Sequence, residues 1–242
     1  MIELILMAAV AGAPATPVDA RAELAAKLPG VEAQDIRESP VPGLYEVMVG
    51  ARIVYVSADG RFLLNGQMID LENQANVTES RLSDVRARWI SGLDESRMVI
   101  FEPTGATRHT VTVFTDIDCG FCRTMHEDID GLRSRGVRVR YLLYPRNGPG
   151  TESAKKADHV WCSADRNEAL TRAKAGKRVT APACETPTIA NFELGRSVPV
   201  TGTPTLITDG GMLIPGYLET AKLVAELDRL KALQSPRTAE AP

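Results

Sequence analysis

Two cysteines separated by two residues, Cys119-Gly120-Phe121-Cys122, stand where the sequence changes from a strand pattern to a helix pattern. Residues 110–115 read as a strand. Residues 120–135 read as one helix, with Phe121, Met125, Ile129 and Leu132 on one face and Gly136 closing it. The junction puts Cys119 at a helix N-terminus, where unpaired backbone N–H groups and the helix dipole favour negative charge. A thiol so placed ionises readily, its pKa falling from about 8.5 to anywhere between roughly 3.5 and 7.5. Cys122, one turn further on, is better placed to be covered and to act as a resolving thiol. Asp118 works the other way, since a neighbouring carboxylate disfavours a second negative charge. A dithiol presented like this demands a strand feeding directly into a helix, which commits the second half of the chain to an α/β plan.

The chain has two further cysteines, Cys162 and Cys184. Structural zinc usually takes its ligands as two close pairs. These two are more than twenty residues apart, with no His at ligand spacing. No metal and no cofactor is therefore expected. They could form a structural disulfide closing a loop of about twenty residues, worth roughly 3 kcal/mol, or remain two reduced core thiols. A disulfide would require an oxidising compartment. Residues 1–15 read as a signal peptide, a short apolar run ending at Ala13-Pro14-Ala15, although no Lys or Arg precedes the run and Glu3 is acidic. The other reading is an apolar N-terminal segment of a cytosolic protein.

A chain of 242 residues fits one medium and one small domain. Its net charge of -3 gives no reason to expect nucleic-acid binding. Residues 19–28 read as a short helix with Asp19 as N-cap and Pro29-Gly30 as stop. Strands follow at 44–49 and 53–56, then an Asp59-Gly60 turn and a returning strand at 61–64. So small a module has a poor surface-to-volume ratio and gains by pairing with a second copy, which suggests a dimerisation domain. Residues 76–93 read as a helix, with Asn76 and Glu79 at capping-box spacing and an apolar stripe of Leu82, Val85, Trp89, Ile90 and Leu93. It could hold two modules apart or pack flat on one; Arg81, Arg86 and Arg88 read as its solvated face.

In the second module, strands are expected at 98–102, 110–115 and 137–144, then a polar, mostly helical segment at 151–198. A strand at 203–207, a turn at Asp209-Gly210-Gly211, a strand at 212–214 and a helix at 220–233 complete it. The tail from Ser235 reads as disordered. In Gly202-Thr203-Pro204 a proline opens a strand. In an oxidoreductase of this plan it would be cis and would expose the Thr203 backbone beside the dithiol, ready for strand addition by a substrate. An ordinary trans loop proline is the other reading. His126 reads as a solvated or packing residue, Arg123 as a surface charge, and His109 and His159 have no identifiable partner.

Several segments together resemble the DsbC-type disulfide isomerases of the periplasm. They are residues 113–122, Thr201-Gly202-Thr203-Pro204, and Leu213-Ile214-Pro215-Gly216-Tyr217. Others are Val139-Arg140-Tyr141-Leu142, Tyr144-Pro145-Arg146, Trp161-Cys162, Ala181-Pro182-Ala183-Cys184, Asp59-Gly60 and Asn65-Gly66-Gln67-Met68. The resemblance covers nearly everything after residue 18. It implies a thioredoxin-like α/β domain with a helical insert at 96–234, preceded by a small α+β (cystatin-like) dimerisation domain at 16–75 and a linker helix at 76–95. It further implies a V-shaped homodimer that isomerises or reduces wrong disulfides in exported proteins and has some chaperone activity. Cys119 would be the nucleophile and Cys122 the resolving thiol. Gly120, Phe121, Thr203 and Pro204 would meet the substrate, and Cys162–Cys184 would be the structural bridge. A DsbD-type membrane reductase would keep the dithiol reduced. The commoner Tyr is replaced by Phe121, and Val113 stands where thioredoxin, which resembles this layout, carries a buried acid. Proton handling for Cys122 must come from elsewhere. A DsbG-like reductase of sulfenylated cysteines and a non-catalytic holdase are the alternatives.

Overall fold

A computed structural model describes residues 20–198 and 200–234. The expected signal, the Asp19 cap and the C-terminal tail lie outside the described residues. The described residues divide into two compact units, one ending at Gly66 and one beginning at Gln67.

The first unit lays helix α1 (Ala20–Lys27) on a four-stranded antiparallel meander, β1 (Ile36–Glu38), β2 (Leu44–Val49), β3 (Arg52–Ser57) and β4 (Leu63–Leu64). Leu24 of α1 is buried against Ile36, Val47 and Val56, the inward-facing residues of three successive strands. Lys27 Nζ donates to the Asp59 carbonyl at 2.8 Å and ties the helix end to the β3–β4 turn. The expected strand at 61–64 is only Leu63–Leu64, because the Asp59 carboxylate and Ser57 hydroxyl take the N–H groups of Arg61 and Phe62 and hold them in the turn. Strand β4 is an edge, and its Leu63 and Leu64, with Phe62 just before them, are all exposed.

The second unit opens with a small hairpin, β5 (Ile69–Asp70) and β6 (Ala75–Asn76), leading into helix α2 (Val77–Ser91). Asn76 Oδ1 accepts the Glu79 N–H at 2.9 Å, the cap expected from the sequence. The helix lies flat on the unit's main sheet, with Trp89, Ile90 and Leu93 packing with Met98, Phe114, Leu142 and Ile207. Arg86 is buried, contrary to its reading as part of a solvated face. Its Nε donates to the Gly211 carbonyl at 2.7 Å, and it pairs with Glu79, which is drawn away from the reciprocal half of a capping box. A guanidinium is tolerated there because both its charge and its donors are matched. Gly211, at φ +78°, allows this approach: a Cβ would lie 1.9 Å from the Ser83 carbonyl oxygen.

The main sheet is built from β7 (Val99–Phe101), β8 (His109–Thr115), β9 (Val137–Leu143), β10 (Thr205–Thr208) and β11 (Leu213–Pro215), in the order β11-β10-β8-β9-β7. Only β8 and β9 run parallel, joined by a helical crossover. Helices cover both faces, which explains why β8 and β9 read as almost unbroken apolar runs. One face packs against α3 (Gly120–Glu127), α4 (Ile129–Ser134), α5 (Glu152–Trp161), α6 (Arg166–Lys174) and α8 (Thr220–Gln234). The other packs against α2 and α7 (Thr188–Ser197). The single helix expected at 120–135 is in fact α3 and α4, broken at Asp128 (φ −104°, ψ 31°). Asp and Gly are weak helix formers, and the Asp128–Gly131 stretch turns there so that Ile129 and Leu132 stay buried beside Met125. Phe121 does not join them; it is 66% exposed.

Candidate active site

Strand β8 ends at Thr115, and four residues later Cys119 is the N-cap of α3, its carbonyl accepting the Arg123 N–H at 3.0 Å. The connecting loop is braced by the buried Asp116 carboxylate. That group accepts the Asp118 N–H at 2.7 Å, the Ser153 hydroxyl at 2.6 Å and the Arg146 N–H at 2.8 Å. Asp118 is less of an obstacle to a thiolate than its position in sequence suggested. Arg123 and Lys156 pair with it at 3.0 and 2.8 Å, so its charge is already matched. Arg123 also donates to the Ile117 carbonyl, making it a clamp on the loop.

Both thiols are reduced and 1% exposed. They differ in surroundings. The Thr203–Pro204 peptide is cis, and it sets the Thr203 carbonyl 3.1 Å from Cys119 Sγ. Gly202 is exposed, so the backbone edge beside the dithiol is open. Burial opposes the Cys119 thiolate. The Thr203 side chain, the Cys122 N–H and thiol, and the Arg146 charge outweigh it and hold the Cys119 thiol below its ordinary value. The Thr203 hydroxyl is buried without a hydrogen-bond partner, and the Thr203 side chain favours the charged form of Cys119. For Cys122 burial wins and its thiol is pushed up. Against that act Lys174, the Asp116 backbone and the Thr115 side chain. The two thiols are thus split into an easily ionised one and a reluctant one.

Phe121 reaches outward from the dithiol turn and stacks on Tyr217 at 6.4 Å between centroids, while Gly120 leaves open space beside Cys119. Cys162 and Cys184 are bonded, with Cα atoms 5.7 Å apart. The bridge joins the C-cap of α5 to the segment before α7 and encloses α6. Of the histidines, His126 is buried, with Tyr141 OH at 3.2 Å and Thr171 Oγ1 at 2.9 Å, and burial pushes it down to about 3. It is a neutral packing residue and not a solvated one. His109 does have a partner, Asp228 at 2.8 Å, and His159 meets the backbone of Ala181. Two residues that sequence reasoning missed stand close to the dithiol: Asp116 and Lys174. Asp116 is close in sequence to Cys119 but nothing local marks its bracing role, and Lys174 sits in a polar stretch that only tertiary contact brings in.

Residues 9–79 match the family model of the disulfide bond isomerase N-terminal domain, and residues 97–231 match that of the thioredoxin-like domain. The thiol:disulfide interchange protein DsbC of Dickeya dadantii is 35% identical over 84% of this chain and 84% of its own length. The Escherichia coli K12 protein of the same name is 32% identical over 85% and 86%. The crystal structure of a disulfide interchange protein from Neisseria gonorrhoeae superimposes with a TM-score of 0.51 at 26% identity, over 57% of this chain and 97% of the other. No helix among the described residues is long and apolar enough to cross a membrane. Two domain matches in the right order, spanned by full-length relatives, place this chain in the DsbC family of thiol:disulfide interchange proteins.

Proposed function

We propose that this protein isomerises and reduces non-native disulfides in exported proteins through a mixed disulfide on Cys119. The observation that carries the reading is the pairing of a thiol held below its ordinary value with an open backbone edge at Thr203, 3.1 Å away. The Cys119 thiolate attacks a substrate disulfide, one substrate sulfur leaves as a thiolate, and the other stays bonded to Cys119. Either a different substrate thiolate attacks the substrate sulfur bonded to Cys119, forming a new substrate disulfide and expelling the Cys119 thiolate, which is isomerisation, or Cys122 attacks Cys119 Sγ and releases a reduced substrate. Gly120 and Phe121 border the substrate, and Thr203 and Pro204 offer it a strand edge. The Cys162–Cys184 bridge stays outside this cycle.

The exposed Phe62, Leu63 and Leu64 at the β4 edge favour pairing of two first units into a homodimer. Apolar surface of this kind also suits holding unfolded chains. The periplasm is the compartment in which these substrates and a stable structural bridge occur together. A DsbD-type membrane reductase would keep Cys119 and Cys122 as thiols. The test is recovery of a scrambled multi-disulfide substrate by reduced protein in a glutathione buffer, with Cys119→Ser alongside. Recovery that depends on Cys119 is expected. Unchanged scrambling with efficient reduction of sulfenylated thiols would replace this reading by a DsbG-like one. Aggregation suppression insensitive to Cys119→Ser, with neither reaction present, would leave only a holdase.

A further inference from the structure

Lys174, the last residue of α6, is 3% exposed. An ammonium is seldom buried without a carboxylate beside it, because desolvation of the charge is otherwise uncompensated. Among the described residues Lys174 has no ion-pair partner. Its Nζ donates to Thr115 Oγ1 at 2.8 Å and to the Asp116 carbonyl at 3.2 Å, and it lies 5.9 Å from the Tyr141 ring centroid. Thr115 and Asp116 are the same two residues whose hydroxyl and backbone favour the Cys122 thiolate. The buried amine and the buried resolving thiol therefore meet at shared groups.

We propose that Lys174 is the positioning residue of the resolving step: through the Thr115 hydroxyl its amine takes the Cys122 proton and holds the thiolate facing Cys119. This rests on the dithiol cycle proposed above. The balance is simple. Cys122–SH and a neutral Lys174 amine become Cys122–S⁻ and the ammonium. Cys122 Sγ then attacks Cys119 Sγ, the Cys119–Cys122 bond forms, the bond from Cys119 to the substrate sulfur breaks, and the electron pair leaves on the substrate thiolate. Val113 cannot take a proton, and Lys174 brings an amine from the helical insert to Thr115, two residues further along β8.

The electrostatics agree. Burial pulls Lys174 down to about 8, against the pull of Cys122, Asp116 and Cys119, with Arg123 acting alongside burial. Of the groups that ease ionisation of Cys122, Lys174 is the strongest. The other groups facing the pair are His126, itself held neutral by burial and by Lys174, and Tyr141, whose phenol is pushed up by burial and so stays protonated. Neither competes for the Cys122 proton at neutral pH. The amine can therefore exist in both protonation states near neutrality, as a proton partner must.

The experiment uses the reduced full chain and the aromatic disulfide 5,5′-dithiobis(2-nitrobenzoate). Attack by Cys119 releases the first coloured thiolate, and attack by Cys122 on the resulting mixed disulfide releases the second. For Lys174→Met we expect the first release to be little changed. The second should be about tenfold slower at neutral pH, with its pH midpoint moved up by roughly one unit. Thr115→Val, which keeps the amine and removes the bridging hydroxyl, should slow the second release in the same direction. Near-ultraviolet circular dichroism matching the wild type reports a folded variant in either case. A second release with unchanged rate and midpoint in both variants overturns the proposal. So does a slower release with an unmoved midpoint, which is what a purely structural strap would give. If wild-type protein shows no fast first release, the dithiol reading itself fails, and Lys174 loses its role with it.

Discussion

The molecule contains two cysteine pairs in the same unit, and they are opposites. Cys119 and Cys122 are separated by two residues at the start of a helix, both buried and unbonded, with polar groups from four separate segments acting on them. Cys162 and Cys184 are separated by 22 positions, joined, and lie where Cys184 is exposed and Cys162 half-buried. Sulfur chemistry is the same in both. The difference lies in what the fold arranges around each pair. A helix N-terminus, a threonine hydroxyl and a buried lysine surround the first pair and separate its two thiols in acidity. The second pair closes a loop around α6, the helix that carries Lys174. The structural pair thus holds in place a helix that serves the reactive one.

Mutation should separate the two pairs cleanly. Cys119→Ser is expected to abolish disulfide isomerisation and to leave the urea midpoint almost unmoved. The largest effect on stability should come from Cys162→Ala with Cys184→Ala. Losing a loop closure of this length costs roughly 3 kcal/mol, read from urea unfolding, while Cys119 still reacts in the folded fraction. A cost below about 1 kcal/mol would mean that α5, α6 and α7 pack well enough without the bridge.

Thr203→Val comes next, because it tests the hydroxyl that favours the Cys119 thiolate. A hydrogen bond to a charged group is worth about 1.5–3 kcal/mol, so the alkylation midpoint of Cys119 should rise by roughly one to two pH units. The variant should be no less stable under acidic conditions that keep Cys119 a thiol, since the hydroxyl is buried without a hydrogen-bond partner. The sign for stability follows. A depressed Cys119 pKa stabilises the reduced fold fully above the ordinary value of 9.0, and this gain is lost as pH falls through the depressed value. The raised Cys122 pKa acts in reverse, costing stability as pH climbs past 9.0. Thr203→Val should shrink the first contribution and leave the second alone. The smallest effect belongs to Phe121→Ala. As an exposed ring stacked on Tyr217, it should alter stability by no more than about 0.5 kcal/mol. It should raise KM for an unfolded substrate a few-fold without changing kcat; a fall in kcat would instead place Phe121 in the chemistry.

Periodicity and turn chemistry were sufficient for most elements. Strand β2 coincides with its expected span, the Asn76 cap is present, and β8 runs directly into the dithiol turn. Local rules failed where a non-local contact decided the outcome. Arg86 looks solvated in a helix rich in arginines, yet it is buried against Gly211, 125 positions away. For His126, solvated and packing readings were both open, and its enclosure by Tyr141, Thr171 and Phe101 makes it a packing residue. The break at Asp128 and the outward turn of Phe121 likewise reflect which residues the sheet could accommodate.

The sequence by itself determined the dithiol at a strand-to-helix junction, the α/β plan and the family, because spacing and alternation are local and survive in one dimension. Only the tertiary structure decided that Thr203 faces Cys119, that Asp116 braces the loop, and that a lysine from a distant helix reaches Thr115 and Asp116. Those are matters of electrostatic environment. A thiol's acidity depends on charges and dipoles within a few ångströms in space, and residues 115, 122, 174 and 203 become neighbours only when the chain folds.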